Sequence, residues 1–337
     1  ATREAMESGA TVLYEAAVEY DGIIVVADIL TRRKMTWTLI EVKSTTKIKD
    51  EHIPDVAIQT WVARRAGIDV CRAEVMHLNT DFRHPDVGEL FVRIDVTDEV
   101  EAFQPLIPDM IEEQLAALAG PEPVVPVGTH CWMIERGCPF WDRCFPTDEN
   151  HVWTLYRARK EQKWALVLKG VSQVLDLPRD YKYTEIQRRQ RSALETGRMI
   201  VEPGLREALR EFDCRLGFLD FETIGRAIPV WPDVGPWRQV VVQFSYHEEA
   251  AGAPNGHLHW AYLAEGPGDP REELALRLLE ATRDAERIVM YSSFERTRIR
   301  ELAGWVPHLA GDLTALQDKL VDLLPVIQKH VYHPRFA

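Results

Sequence analysis

Two blocks of β-forming sequence, residues 11–96 and 216–291, flank a helix-patterned stretch, and this spacing restricts the chain to a pair of mixed α/β units rather than one continuous sheet. In the first block, alternation over 11–20, the turn dipeptide Asp21-Gly22 and the β-rich run 23–30 predict a hairpin. A third strand follows at 37–43. Pro54 suits the first turn of a helix reaching Ala66 and stopping at Gly67, with apolar residues at Val56, Ala57, Ile58 and Trp61. Strands return at 70–78 and 90–96, and 98–118 reads as helix interrupted by Pro105 and Pro108. A proline-rich turn then leads into a cysteine-rich stretch ending at Pro146, where the first boundary is placed.

The second block begins after a short helix beyond Pro203. It reads as strands 216–223, 238–247 and 257–264, a helix from Pro270, a strand 287–291 and helices from Phe294, in the order β-β-β-α-β-α. Between the blocks, 150–201 reads as helices interrupted at Lys169-Gly170 and Pro178, with a capping-box pattern at Thr184 and Gln187. The expected organisation is therefore 1–147, a helical basic connector over 148–210, and 211–337.

The 337 residues carry 40 Lys+Arg against 53 Asp+Glu, a formal charge of −13, which by itself argues against nucleic acid. The distribution qualifies that: eleven Lys/Arg against five acids lie between Arg157 and Arg198. No run of eighteen apolar residues occurs, so no membrane span is expected. No phosphate-cradling G-x-x-x-x-G-K-[ST] is present, so a nucleotide-driven motor of that type is not expected. Five cysteines, an odd number with three crowded together, suit a reducing compartment and a metal site, and a cytoplasmic location is expected. The chain opens on Ala1 without Met and reaches Ala337 without a stopping pattern, so a fragment or processed chain is expected.

Glu41 and Lys43 stand two apart on a predicted strand, so they share one face, and the partner strand of a sheet can bring Asp28 opposite them. Two carboxylates and an amine can hold Mg²⁺ or Mn²⁺ and orient or deprotonate water beside a phosphodiester. The same spacing on a solvated strand face would carry no chemistry. Ile40 and Val42 are expected to turn the other way, into a core, and Gln59 lies on the following helix.

Val26-Ala27-Asp28, Ile40-Glu41-Val42-Lys43 and Asp55-Val56-Ala57-Ile58-Gln59 resemble the D, E-x-K and Q motifs of the RecB-like branch of PD-(D/E)XK nucleases, with Ala27 where Pro is often seen. The resemblance implies a restriction-endonuclease-like fold in which Asp28 and Glu41 bind the metal, Lys43 serves the water and Gln59 positions the site. His52, just before that helix, could touch substrate phosphate. The other histidines, His77, His247 and His259 among them, gain no role from spacing.

Cys131, Cys138 and Cys144 offer soft ligands that one metal centre could gather, although three buried free thiols would look the same. The RecB-like branch often carries an iron–sulfur cluster on three cysteines after the nuclease core and one before it. The resemblance implies a 4Fe-4S cluster here on three visible ligands, the fourth being absent from this sequence. Zinc with His130 is the competing chemistry.

Asp220 and Glu222 again share a strand face within an apolar run expected to be the central strand of the second unit, where burying two carboxylates would be costly without a metal. Surface charge at a strand end is the plain alternative. Phe218 to Thr223 resembles the first motif of DnaQ-like exonucleases of the ribonuclease H fold, and Tyr291-Ser292-Ser293-Phe294-Glu295 their second, with Glu295 where Asp is usual. The remaining motif would lie beyond 337, and Asp322 is expected to be a structural or helix-capping acid.

The whole pattern, with His333-Pro334, resembles a bacterial family of unknown function that joins the two modules. The fold class expected is α/β: a PD-(D/E)XK restriction-endonuclease-like unit and a ribonuclease H-like unit joined by a basic helical segment. The expected activity is metal-dependent hydrolysis of DNA, RNA remaining open, on ends or single strands in DNA repair or defence, alone or beside a separate helicase. The alternative is a nucleic-acid-binding or assembly module with degenerate sites.

Overall fold

The computed structural model describes residues 1–85, 87–132, 138–144, 148–250, 253 and 256–336. The chain divides into two compact units, Ala1–Pro123 with Ile224–Val240, and Val124–Thr223 with Val241–Ala337. Residues 148–210 thus lie in the second unit, and the segment 224–240 counts with the first. The boundary expected at Pro146 lies outside the described residues.

The first unit begins with α1 (Thr2–Glu7), then β1 (Val12–Tyr20), β2 (Ile23–Arg33), β3 (Thr36–Lys43), α2 (His52–Arg65), β4 (Val70–Leu78), β5 (Phe91–Asp95), α3 (Thr97–Phe103) and α4 (Ile107–Ala119). The five strands form one sheet in sequential order. The expected hairpin closes at Asp21 and Gly22, with φ of 53° and 78°; this pair of positive angles matches the twist of a two-residue hairpin. β3 is the middle strand, antiparallel to β2 and parallel to β4, and α2 is the crossover that a parallel pair requires. The helix stops as expected, with Gly67 at φ +90°.

Trp37 and Leu39 are buried in one cluster with Val56, Ala57 and Ala63 of α2. They share a face with Glu41 and Lys43, so the site sits at the end of the helix-covered core, not opposite a core formed by Ile40 and Val42 as expected. Ile40 is buried too, Val42 only partly. The strand is covered on both faces, which is why its apolar residues run on without strict alternation.

The second unit contains α5 (Trp141–Cys144), α6 (Lys160–Val167), α7 (Glu185–Thr196), β6 (Ile200–Val201), α8 (Leu205–Ala208), β7 (Leu216–Gly225), β8 (Gln239–Glu249), β9 (His257–Leu263), α9 (Arg271–Ala281), β10 (Arg287–Met290), α10 (Phe294–Trp305), α11 (Ala310–Asp318), β11 (Leu320–Asp322), α12 (Leu323–His330) and β12 (Val331–Tyr332). The capping box forms: Thr184 Oγ1 accepts from Gln187 N, and Gln187 Oε1 accepts from Thr184 N at 3.0 Å. Several charges of the basic stretch turn inward. Arg189 donates to Gln328 O at 2.7 Å, Arg191 to Leu177 O at 2.9 Å, and Lys163 to Trp153 O at 2.7 Å. Part of the local positive charge therefore ties the helices together instead of facing solvent.

The main sheet of this unit has the order β11-β10-β7-β8-β9, so β7 is central, as expected. β10 runs parallel to both β7 and β11, and β8 antiparallel to β9. Gly217 is required on β7 because a Cβ there would lie 2.3 Å from the Tyr246 hydroxyl oxygen. Helix α1 and the short strands β6, β11 and β12 were not expected from the sequence. Among the described residues no helix is long and apolar enough to cross a membrane.

Candidate active site

In the first unit, the register Ile29↔Ile40 carried one residue further sets Asp28 opposite Glu41. Asp28 Oδ2 accepts the Val42 N–H at 2.6 Å. From α2, Gln59 Nε2 donates to Glu41 Oε2 at 2.8 Å and to Asp55 Oδ1 at 3.3 Å. Lys43 Nζ lies 2.7 Å from Glu41 Oε1 and also donates to Asp55 Oδ2. Asp28, Glu41, Lys43 and Gln59 therefore converge, together with Asp55. Sequence reasoning gave Asp55 no role, although Asp55 and Gln59 are four apart on a helix and must share a face.

Electrostatics assign these groups different tasks. Burial pushes the Glu41 carboxyl up, the bonds from Lys43 and Gln59 oppose it, and the Asp28 charge adds to the rise. Burial alone would lower the Lys43 amine, but its bonds to Asp55 and Glu41 outweigh this and hold it above its ordinary value. Asp55 is likewise raised by burial but brought below its usual range by Lys43 and Gln59. Lys43 is thus an ammonium at neutral pH, fitted to orient and neutralise rather than to remove a proton. His52 is buried, and its Nδ1 accepts the Lys49 N–H at 3.2 Å. That bond ties His52 to its own loop. Burial, then the Lys43 charge, lowers its pKa.

A divalent cation fits the donors present. Two like-charged carboxylates stand together, one of them desolvated, and Gln59 Oε1 is a buried acceptor without a partner. Mg²⁺ commonly takes only one or two carboxylates and keeps several waters. Among the described residues no group of three or more His, Cys, Asp or Glu is arranged to hold a metal ion.

Cys131 and Cys138 are partly buried, Cys144 is exposed, and all three are free thiols. Cys131 Sγ lies 3.3 Å from His130 Nε2. Three thiols match three of the four ligands that an iron–sulfur cluster takes, so the donor chemistry fits while the side chains are not gathered around one point.

In the second unit, Asp220 and Glu222 share one face of β7, as expected, but that face is exposed, with Phe218 at 44%. Desolvation falls instead on Glu295. Placed in the first turn of α10 just after β10, it is 7% exposed, and its Oε2 has no hydrogen-bond partner. Burial pushes its carboxyl up, its own backbone N–H lowers it, and the charges of Asp220 and Asp322 push it further up. The acids meet at the carboxyl ends of parallel strands, where open α/β sheets place ligands. Asp322 also caps α12, accepting from Leu324 N at 2.9 Å as its expected role required. The pairing of β8 with β9 stacks His247 on His259 at 4.2 Å and sets His257 5.2 Å from His247, a grouping that only the cross-strand register reveals.

The family described as Domain of unknown function (DUF2779) matches residues 217–337. That span contains Asp220, Glu222, Glu295 and Asp322 and none of Asp28, Glu41, Lys43 and Gln59. No curated protein and no solved structure matches the chain.

Proposed function

We propose that this protein is a metal-dependent nuclease whose working site is Asp28, Glu41, Lys43, Asp55 and Gln59. The observation that carries the reading is the Lys43 ammonium fixed between two carboxylates on a strand beside Asp28, with one amide bracing both. Asp28 and Glu41 are the residues that would hold Mg²⁺ or Mn²⁺, which when bound supplies Lewis-acid charge at a phosphodiester. Lys43 places a second positive charge where negative charge grows on the phosphoryl oxygens. Asp55 and Gln59 keep the amine and Glu41 in one geometry, so little reorganisation is needed during the reaction. The substrate class is DNA, on ends or single strands, in repair or defence, with a separate helicase as companion.

Support for a restriction-endonuclease-like fold comes from the mixed sheet with its crossover helix over the E-x-K strand. For a ribonuclease H-like second unit it comes from the β-β-β-α-β-α order, with the acid-bearing strand central. End-labelled single and double strands incubated with Mn²⁺ test the activity. Wild-type chain should cleave, and Lys43→Ala should lose on the order of a hundredfold or more in rate while keeping its circular dichroism. Equal rates for the two would remove Lys43 from the mechanism. The cysteine cluster is proposed to bind iron and sulfur. Anaerobically purified protein should then absorb in the blue-visible region, and a colourless protein carrying stoichiometric zinc would overturn that assignment.

A further inference from the structure

Trp237 stands out in the first unit for the way it is held. Its backbone adopts φ +59°, a left-handed conformation unfavourable for a bulky residue. Such an outlier persists only where its surroundings enforce it, and it is a reason to look for function. Three contacts enforce it: Trp237 N donates to Arg226 O at 2.7 Å, Arg238 N to Gly235 O at 3.1 Å, and the indole Nε1–H to Ser44 O at 2.5 Å. The segment is fastened further back, where His84 N donates to Val234 O and Asp233 N to His84 O. Val234 and Trp231 are buried. The indole is nevertheless left 46% exposed.

The anchor point matters because Ser44 directly follows Lys43. From Lys43 the loop continues through Lys47 and Lys49 before Asp50 and Glu51, and Lys49 Nζ lies 3.7 Å from Glu51 Oε1. A held, half-exposed aromatic face beside lysines is the combination that binds single-stranded nucleic acid without sequence preference. Bases stack on the ring while cations follow the phosphates. We infer that Trp237 is a stacking platform for one base of a single-stranded segment, placed so that the adjoining phosphate reaches Lys43. The inference rests on the nuclease reading of that site and deepens it by selecting unpaired strand over duplex. The strained backbone and the indole hydrogen bond fix the ring in advance, so stacking costs little ordering.

The test uses the full chain and a fluorescein-labelled oligothymidylate in chelator, with binding read by anisotropy. Trp237→Ala should weaken binding on the order of tenfold, Trp237→Phe, which keeps an aromatic face but loses the bond to Ser44 O, should fall between Ala and wild type, and binding to a blunt duplex should change in neither. A second measurement needs no folded variant: a single abasic residue is walked along the strand with wild-type protein. One position should cost about as much as Trp237→Ala, and that position should be silent in the Trp237→Ala protein. A flat abasic scan, unchanged binding by Trp237→Ala, or a Phe variant as weak as the Ala variant overturns the stacking role. If wild-type chain cleaves the strand while any of these holds, only this inference falls. If it neither binds nor cleaves, the nuclease reading falls with it.

Discussion

At the scale of single residues, the site is organised by how Lys43 is kept charged. Asp55 contributes the first of the bonds that raise the amine, so Asp55→Asn should let its pKa fall. Loss of the ammonium then begins at lower pH, and the alkaline limb of the rate profile should move down by a measurable fraction of a unit. An unmoved limb would show that the charge of Lys43 does not limit the reaction. Glu295 gives the opposite case. Its carboxyl is held above the ordinary range, so the folded chain binds that proton more tightly than the unfolded chain does. The resulting stabilisation is complete below the ordinary carboxylate range and is lost as pH rises through the raised value. Glu295→Gln, which removes the buried charge, should therefore stabilise the metal-free protein at neutral pH. The gain should close as pH falls, as read by urea unfolding at several pH values. Glu41 and Lys43 were legible in the sequence because a period of two fixes a shared strand face. Asp55 was not, because its partner lies across a helix–strand contact that only packing sets.

Elements with strong local chemistry were legible almost to the residue. Asp21-Gly22 allowed only a tight hairpin, Gly67 stopped α2, and Thr184 with Gln187 marked the start of α7. In each case a side chain or a positive φ satisfies the local backbone without help from elsewhere. Among the elements missed were α1 and the short strands β6, β11 and β12, the strands only 2, 3 and 2 residues long. Runs that short carry no alternation to read, and they exist because a neighbouring strand pairs with them. The burial of β3 on both faces was also hidden. Leu39 and Ile40 are adjacent and both buried, so period two could not say which face carried the helix. That ambiguity matters for the site, since the helix-covered face brings Gln59 and Asp55 to Glu41.

For the molecule as a whole, the question is which unit performs the chemistry, and the two acidic sites differ in completeness. In the first, two carboxylates, an ammonium and a bracing amide form a closed network. In the second, Asp220 and Glu222 are exposed, and Glu295 is the buried group, with one oxygen unpartnered. Exposed acids hold Mg²⁺ weakly, because the ion sheds its waters reluctantly and tolerates little distortion. Among the described residues, the charges acting on the Glu295 carboxyl are those of Asp220 and Asp322, both of its own sign, whereas Lys43 balances Glu41. The second unit should therefore contribute little cleavage in this chain. Asp220→Ala should leave the rate within about twofold, whereas Glu41→Gln should lower it on the order of a hundredfold, with partial recovery at high Mn²⁺ because the Gln still offers one oxygen. The comparison is made on the full chain, with matched melting curves to exclude unfolding. If Asp220→Ala removes cleavage and Glu41→Gln spares it, the assignment reverses: the second unit is the nuclease, and the Lys43 network binds strand without cutting it.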